Sequence, residues 1–186
     1  MALLIVDLQN AYRSHMAKDL VEKVRQKSAE FSEVYYLWDT LSGNDLYSEI
    51  PEEWMEDEEF YNQLNLITKE YGFFRSLMDL GLDADDELLL KLLSFMSKHN
   101  VYDCREILDQ EELYSLFKEE FKKTSLMEIN LNDYPVSLPL DLMEELEKLP
   151  SNIYLVGGGR NECLKEVYIL LKHMGKKPSI IEDLTY

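Results

Sequence analysis

The chain is poor in cysteine, histidine and basic residues, and each shortage narrows what it can do. Its 186 residues hold two cysteines, Cys104 and Cys163, far apart in sequence. They build no disulfide framework and suit a reducing compartment, which predicts a cytoplasmic protein. The three histidines, His15, His99 and His173, are scattered, so no zinc site is expected. Nineteen lysines and arginines face 37 acids, for a formal net charge of -18. That balance repels phosphates, no basic cluster offsets it locally, and nucleic acid is not an expected partner. No run approaches the ~20 apolar residues of a membrane span. The opening "MALLIVDLQN" lacks a basic leader and has about five apolar residues before Asp7, short of a secretory core of roughly 7–15. No membrane partner is expected.

Apolar residues make up 46% of the chain, enough for a folded domain with a substantial core. The densest charge run, "EIPEEWMEDEEF", reads as solvated helix and loop surface. Short apolar runs alternate with helical-period segments, which predicts an α/β fold built on a mainly parallel sheet. "ALLIV", "EVYYLW", "LNLIT", "IYLVGG" and "SIIEDL" are the strand candidates. Between them, "MAKDLVEKVRQKSAEF", "SLPLDLMEELEKLP" and "ECLKEVYILLKHMG" read as helices, the last closed by Gly175. Residues 83–123 break the alternation with two successive helical patterns. These read as an inserted helical hairpin within a single domain spanning residues 1–186, followed by a further strand at "LMEINL".

Ligands of open parallel sheets bind beyond the carboxyl ends of the strands. Asp7, Asp39, Lys69 and Cys163 stand at four such ends. In "GGGRNEC" the thiol falls in the first turn of a helix, where unpaired amides and the positive dipole end favour thiolate. Amides of such a turn also form oxyanion holes. A lone cysteine is as often a small buried hydrophobe, and the two readings weigh about evenly here. Asp7, at the end of a buried strand, is either a general base or a cap for the following turn. Lys69 is either its cationic partner or a solvated surface group. The glycines lack the spacing of a dinucleotide fingerprint and the Lys-Ser/Thr of a phosphate loop, so nucleotide binding is a weak third reading.

Together these stretches resemble the isochorismatase-like cysteine hydrolases, the superfamily that also contains nicotinamidases. "LLIVDLQNAY" is similar to that family's opening strand, with Asp7, Gln9, Asn10 and Tyr12 in its motif. "ITKEYGFF" fits its central lysine and following aromatic, and "IYLVGGGRNECLKEVYILLKHMGKKPSIIEDL" its closing cysteine signature. The resemblance implies a three-layer α/β/α domain in which Cys163 is the nucleophile, Asp7 its base and Lys69 the third member. It places a cis peptide at Gly158–Gly159 within an oxyanion loop that also includes Glu162. It sets Gln9, Tyr12, Asp39, Phe74 (or Phe73) and Arg160 around the substrate. It implies a metal-independent hydrolase, without cofactor, that cleaves a C–N bond of a small amide, imide or carbamoyl compound through a thioester. Family habit implies a homo-oligomer. Two departures stand out. Asp39 and Asp45 have no companion histidine, which argues against nicotinamidase activity, and the helical insertion is larger than usual, leaving Lys122 and Lys123 as alternatives to Lys69. Arg160 either recognises a substrate carboxylate or serves as a salt-bridged loop residue. The competing function is a non-catalytic binding protein that keeps the fold.

Overall fold

The computed structural model describes residues 1–40, 46–69, 85–128, 130–133 and 136–186, without the Tyr47 side chain. Asp45, Phe73 and Phe74 lie outside the described residues. Five strands, β1 (Ala2–Val6), β2 (Glu33–Asp39), β3 (Leu64–Lys69), β4 (Asn152–Gly157) and β5 (Lys177–Thr185), form one sheet in the order β3-β2-β1-β4-β5. All four pairings are parallel. The centre of that order explains the sequence of β1: "ALLIV" is buried at every position, as a strand covered on both faces must be. The edge strands β3 and β5 carry most of the sheet's exposed side chains.

Two helices connect neighbouring strands from the middle outward in opposite directions: α1 (Leu20–Ser28) from β1 to β2, and α8 (Cys163–His173) from β4 to β5. Right-handed crossovers then put them on opposite faces, giving an α/β/α sandwich. On one face Leu20, Val21 and Val24 of α1 pack with Leu3, Ile5, Val34, Tyr36 and Trp38. The acidic run following β2 forms three short helices, α2 (Leu46–Glu49), α3 (Glu52–Met55) and α4 (Glu58–Gln63). Its glutamates at 52, 53, 56, 58 and 59 are exposed, as expected for a solvated surface. Trp54 and Phe60 turn inward, and the Trp54 indole N–H donates to the Val21 carbonyl at 3.2 Å. Glu49 also points inward and is treated below.

The chain divides into two compact units, residues 1–71 with 140–186, and residues 72–139. The second contains α5 (Asp86–Lys98), a 3-10 turn (Cys104–Ile107) and α6 (Glu111–Phe121). Phe95 meets Phe117 and Phe121 edge-on, with ring centroids 5.6 and 5.7 Å away. The strand expected at "LMEINL" is absent from the described residues; Ser125–Glu128 form a 3-10 turn instead. Local polar groups compete with a ladder there: the Asn132 amide donates to the Asn130 side chain, and Asn130 to Asp133. After it, α7 (Leu140–Glu147) returns the chain to the first unit and leads to β4. No helix among the described residues is long and apolar enough to cross a membrane.

Two glycines act by different means. Gly175 (φ +76) closes α8: its N–H donates to the Lys172 carbonyl and that of Lys176 to Leu171, the paired bonds of a Schellman cap. A Cβ there would meet nothing within 4 Å. Gly157 (φ +83) ends β4 so close to β1 that a Cβ would stand 2.5 Å from the Val6 carbonyl oxygen. Gly175→Ala is therefore expected to cost about 1 kcal/mol of unfolding free energy, the left-handed penalty alone. Gly157→Ala, adding a backbone clash, should cost at least about 2 kcal/mol more. Urea titration of the two variants side by side checks the difference.

Candidate active site

The strand order reverses between β1 and β4, the point where open parallel sheets leave a crevice. Asp7 follows β1 and Cys163 follows the glycine turn after β4, so these two segments flank that point, while Asp39 and Lys69 end β2 and β3. The Lys69 Nζ lies 2.7 Å from the Asp7 Oδ2, with the two side chains 1% and 0% exposed. The Cys163 thiol lies within electrostatic reach of the same carboxylate. Beyond these contacts, neither Asp7 oxygen nor the Lys69 ammonium has a hydrogen-bond partner among the described residues. Withdrawing two ions from water costs several kcal/mol each, which an ion pair of this kind repays poorly as a device for stability. Such a pair beside a half-buried thiol is a candidate site.

Asp7 itself has φ +47, a left-handed conformation that favours glycine. Both of its peptide groups are tied down. Its N–H donates to the Leu37 carbonyl at 2.8 Å, and its carbonyl accepts from the Tyr186 hydroxyl at 3.0 Å.

The electrostatics reverse one expectation. A helix N-terminus favours thiolate, but such an effect rarely exceeds ~2 kcal/mol, whereas burial moves a titration by up to about 3–5 pH units. Here burial and then the Asp7 charge push the Cys163 thiol well up, against a smaller pull from Lys69. The resting sulfur is held as the neutral thiol. Burial also raises the Asp7 carboxyl, opposed by the Lys69 ammonium and assisted by Asp39. It would lower Lys69, but the facing Asp7, Cys163 and Glu166 hold that ammonium above an ordinary lysine.

The glycine loop also differs from expectation. The described residues contain no cis peptide bond, including at Gly158–Gly159; positive φ at Gly157 and Gly158 makes the turn instead. The N–H of Gly158 donates to the Val6 carbonyl at 2.7 Å and that of Glu162 to Gly159 at 3.0 Å, so neither is free for an oxyanion. The N–H groups of Gly159, Asn161 and Cys163 make no hydrogen bond among the described residues, and the Glu162 side chain does not cap the helix.

The remaining expected residues separate into two groups. Tyr12 is brought to the site, its hydroxyl donating to the Asp39 Oδ2 at 2.8 Å, and burial with that bond raises its phenol. Gln9, expected against substrate, braces the strand ends instead. Its amide oxygen accepts from the Asp39 N–H at 2.8 Å and its amide nitrogen donates to the Asp39 carbonyl at 3.1 Å. Buried Glu49 completes the brace by accepting from the Ala11 N–H at 3.1 Å. Arg160 is exposed, paired with Glu182, and its N–H donates to the Tyr186 carbonyl at 2.9 Å. That is its loop role. Lys122 pairs with Glu119 on the surface of the second unit, which leaves Lys69 as the partner of Asp7.

Two residues of the site escaped the sequence. Glu166 lies one turn along α8 from Cys163, buried and electrostatically coupled to Lys69, but "KE" looks like an ordinary exposed pair. Tyr186 carries no sequence signal at all. Among the described residues no three His, Cys, Asp or Glu side chains are grouped to hold a metal. No family model, curated protein or solved structure matches this chain.

Two outcomes are expected. Lys69→Met leaves a bare carboxylate in the core and should destabilise by about 3–5 kcal/mol, with much of the loss restored when Asp7→Asn is added; denaturant melts of the three variants test this. Asp7→Asn alone removes the charge that opposes thiolate while Lys69 stays. The Cys163 titration midpoint should therefore fall, and its alkylation by iodoacetamide at pH 8 should quicken several-fold. Mass spectrometry separates this from Cys104, which is buried and pushed up to about 11.

Proposed function

We propose that the protein is a cysteine hydrolase of the isochorismatase-like kind, cleaving a C–N bond in a small amide, imide or carbamoyl compound. The observation that carries this reading is the convergence of Asp7, Lys69 and Cys163 at the sheet's switch point, with the ammonium 2.7 Å from the carboxylate and the thiol within the electrostatic reach of both. The resemblance of the three motifs supports the same assignment of roles.

The chemistry follows from the resting state. The sulfur attacks the carbonyl carbon as its proton passes to Asp7, so no free thiolate accumulates. A carboxylate raised by burial is the stronger base for that transfer. The carbonyl oxygen gains negative charge, and the N–H groups of Gly159, Asn161 and Cys163, which make no hydrogen bond among the described residues, are the donors the loop offers it. Asp7 then returns the proton to the leaving nitrogen, the C–N bond breaks, and a thioester remains on Cys163. Water attacks the thioester, gives a proton to Asp7 and releases the acid, and the sulfur recovers its proton. Lys69 keeps Asp7 ionised between transfers and is not itself consumed. No step is assigned to a metal or cofactor. We further propose a cytoplasmic location and self-association, on the grounds of thiol content and resemblance.

An acid quench of the protein mixed with a panel of small amides, imides and carbamoyl compounds tests the reading. A mass increment on Cys163 equal to the acyl part is expected in the wild type. It should be missing in Cys163→Ala, together with turnover, and turnover should fall at least about a hundredfold in Asp7→Asn. Turnover that survives Cys163→Ala would falsify the thioester route. A panel that yields neither adduct nor turnover favours the non-catalytic binding protein.

A further inference from the structure

We propose that Tyr186 is a positioning residue that holds the base and the nucleophile in register. The inference rests on the reading of Asp7 and Cys163 as a base–nucleophile pair. Tyr186 makes three hydrogen bonds to the two segments that carry them. Its hydroxyl donates to the Asp7 carbonyl at 3.0 Å, its N–H donates to the Gly158 carbonyl at 3.4 Å, and its carbonyl accepts from the Arg160 N–H at 2.9 Å. One residue beyond β5 thus clasps the end of β1 on one side and the glycine loop on the other.

The bond to Asp7 acts on a backbone that needs it. Asp7 is non-glycine at φ +47, and a conformation of that kind persists only where its surroundings over-determine it. The Leu37 carbonyl fixes the Asp7 N–H from β2, and the Tyr186 hydroxyl fixes the carbonyl on the next peptide. With both peptides held, the Asp7 Cα is fixed in place, and its carboxylate stays against the Lys69 ammonium at 2.7 Å, within the electrostatic reach of the sulfur. Without the hydroxyl, the second peptide is free to rotate and the carboxylate to draw back from Cys163. The phenol is half-buried within the electrostatic reach of Asp7, Cys163, Asp39 and Glu162, so it faces the site rather than the outer surface.

Because Asp7 raises the Cys163 thiol, its withdrawal has a sign: the thiol becomes more acidic. Iodoacetamide alkylation of Cys163, followed by mass spectrometry across pH, reads that midpoint in four proteins. These are wild type, Tyr186→Phe, Asp7→Asn and the double variant, and if Asp7→Asn does not fold, Lys69→Met is added to both Asp7→Asn backgrounds. Tyr186→Phe is expected to lower the midpoint by roughly 0.5–1 pH unit. Alkylation at pH 8 should then rise about two- to fourfold, since thiolate gained is partly offset by weaker nucleophilicity. In the Asp7→Asn background the same substitution should change nothing. A merely structural role for the ring would move both backgrounds equally, and that result overturns the proposal. So does a midpoint that Tyr186→Phe leaves unmoved in the wild-type background, or loss of the fold on removing one hydroxyl. A midpoint insensitive to Asp7→Asn would instead sink the Asp7–Cys163 pairing itself, which separates the two failures.

Discussion

The buried ion pair of Asp7 and Lys69 is the constraint around which this molecule is organised. Neither side chain touches water, and removal of either strands the other in a medium that solvates charge poorly. Keeping them together requires β1 and β3, which do not pair with each other, to end at the same level on either side of β2. The Gln9 amide, bonded in both directions to the Asp39 backbone, fixes that level by joining the segment after β1 to the end of β2.

From this pair the chemistry of the sulfur follows. A cysteine at a helix tip invites the idea of a standing thiolate, yet burial and the nearby Asp7 charge outweigh the dipole. Such a thiol is quiet at rest. In the proposed hydrolase, such a site would be slow toward indiscriminate alkylators and would spend its basicity only with a substrate seated. In this respect it differs from thiols activated by a neighbouring histidine, which stand partly ionised at rest.

The sheet was legible because its strands are short apolar runs whose burial follows from their place in the order. Asp7, Lys69 and Cys163 were legible for a related reason: each is a chemically distinct residue at the end of such a run. What could not be read was everything decided by contact across the sheet. Gln9 looked like a ligand-facing residue because the sequence does not show the Asp39 peptide it grips. Glu162 and Gly158 looked like oxyanion donors because their amides' acceptors, Gly159 and Val6, become neighbours only in the folded turn. "LMEINL" has the composition of a strand, but the asparagines beside it bond locally and leave a 3-10 turn. The bend expected from a cis bond is made by glycine φ angles, a choice composition leaves open.

The contact of Gly157 with the Val6 carbonyl carries one more implication. It is main chain against main chain, and it sets where the loop to Cys163 begins without help from any side chain. The place where the Cys163 loop departs is thus written into peptide geometry, and the side chains around the sulfur are relieved of that duty. If the proposed hydrolase reading holds, substitution of those side chains would retune which molecule is accepted while the sulfur stays where it is, so that selectivity and reactivity would be separable traits.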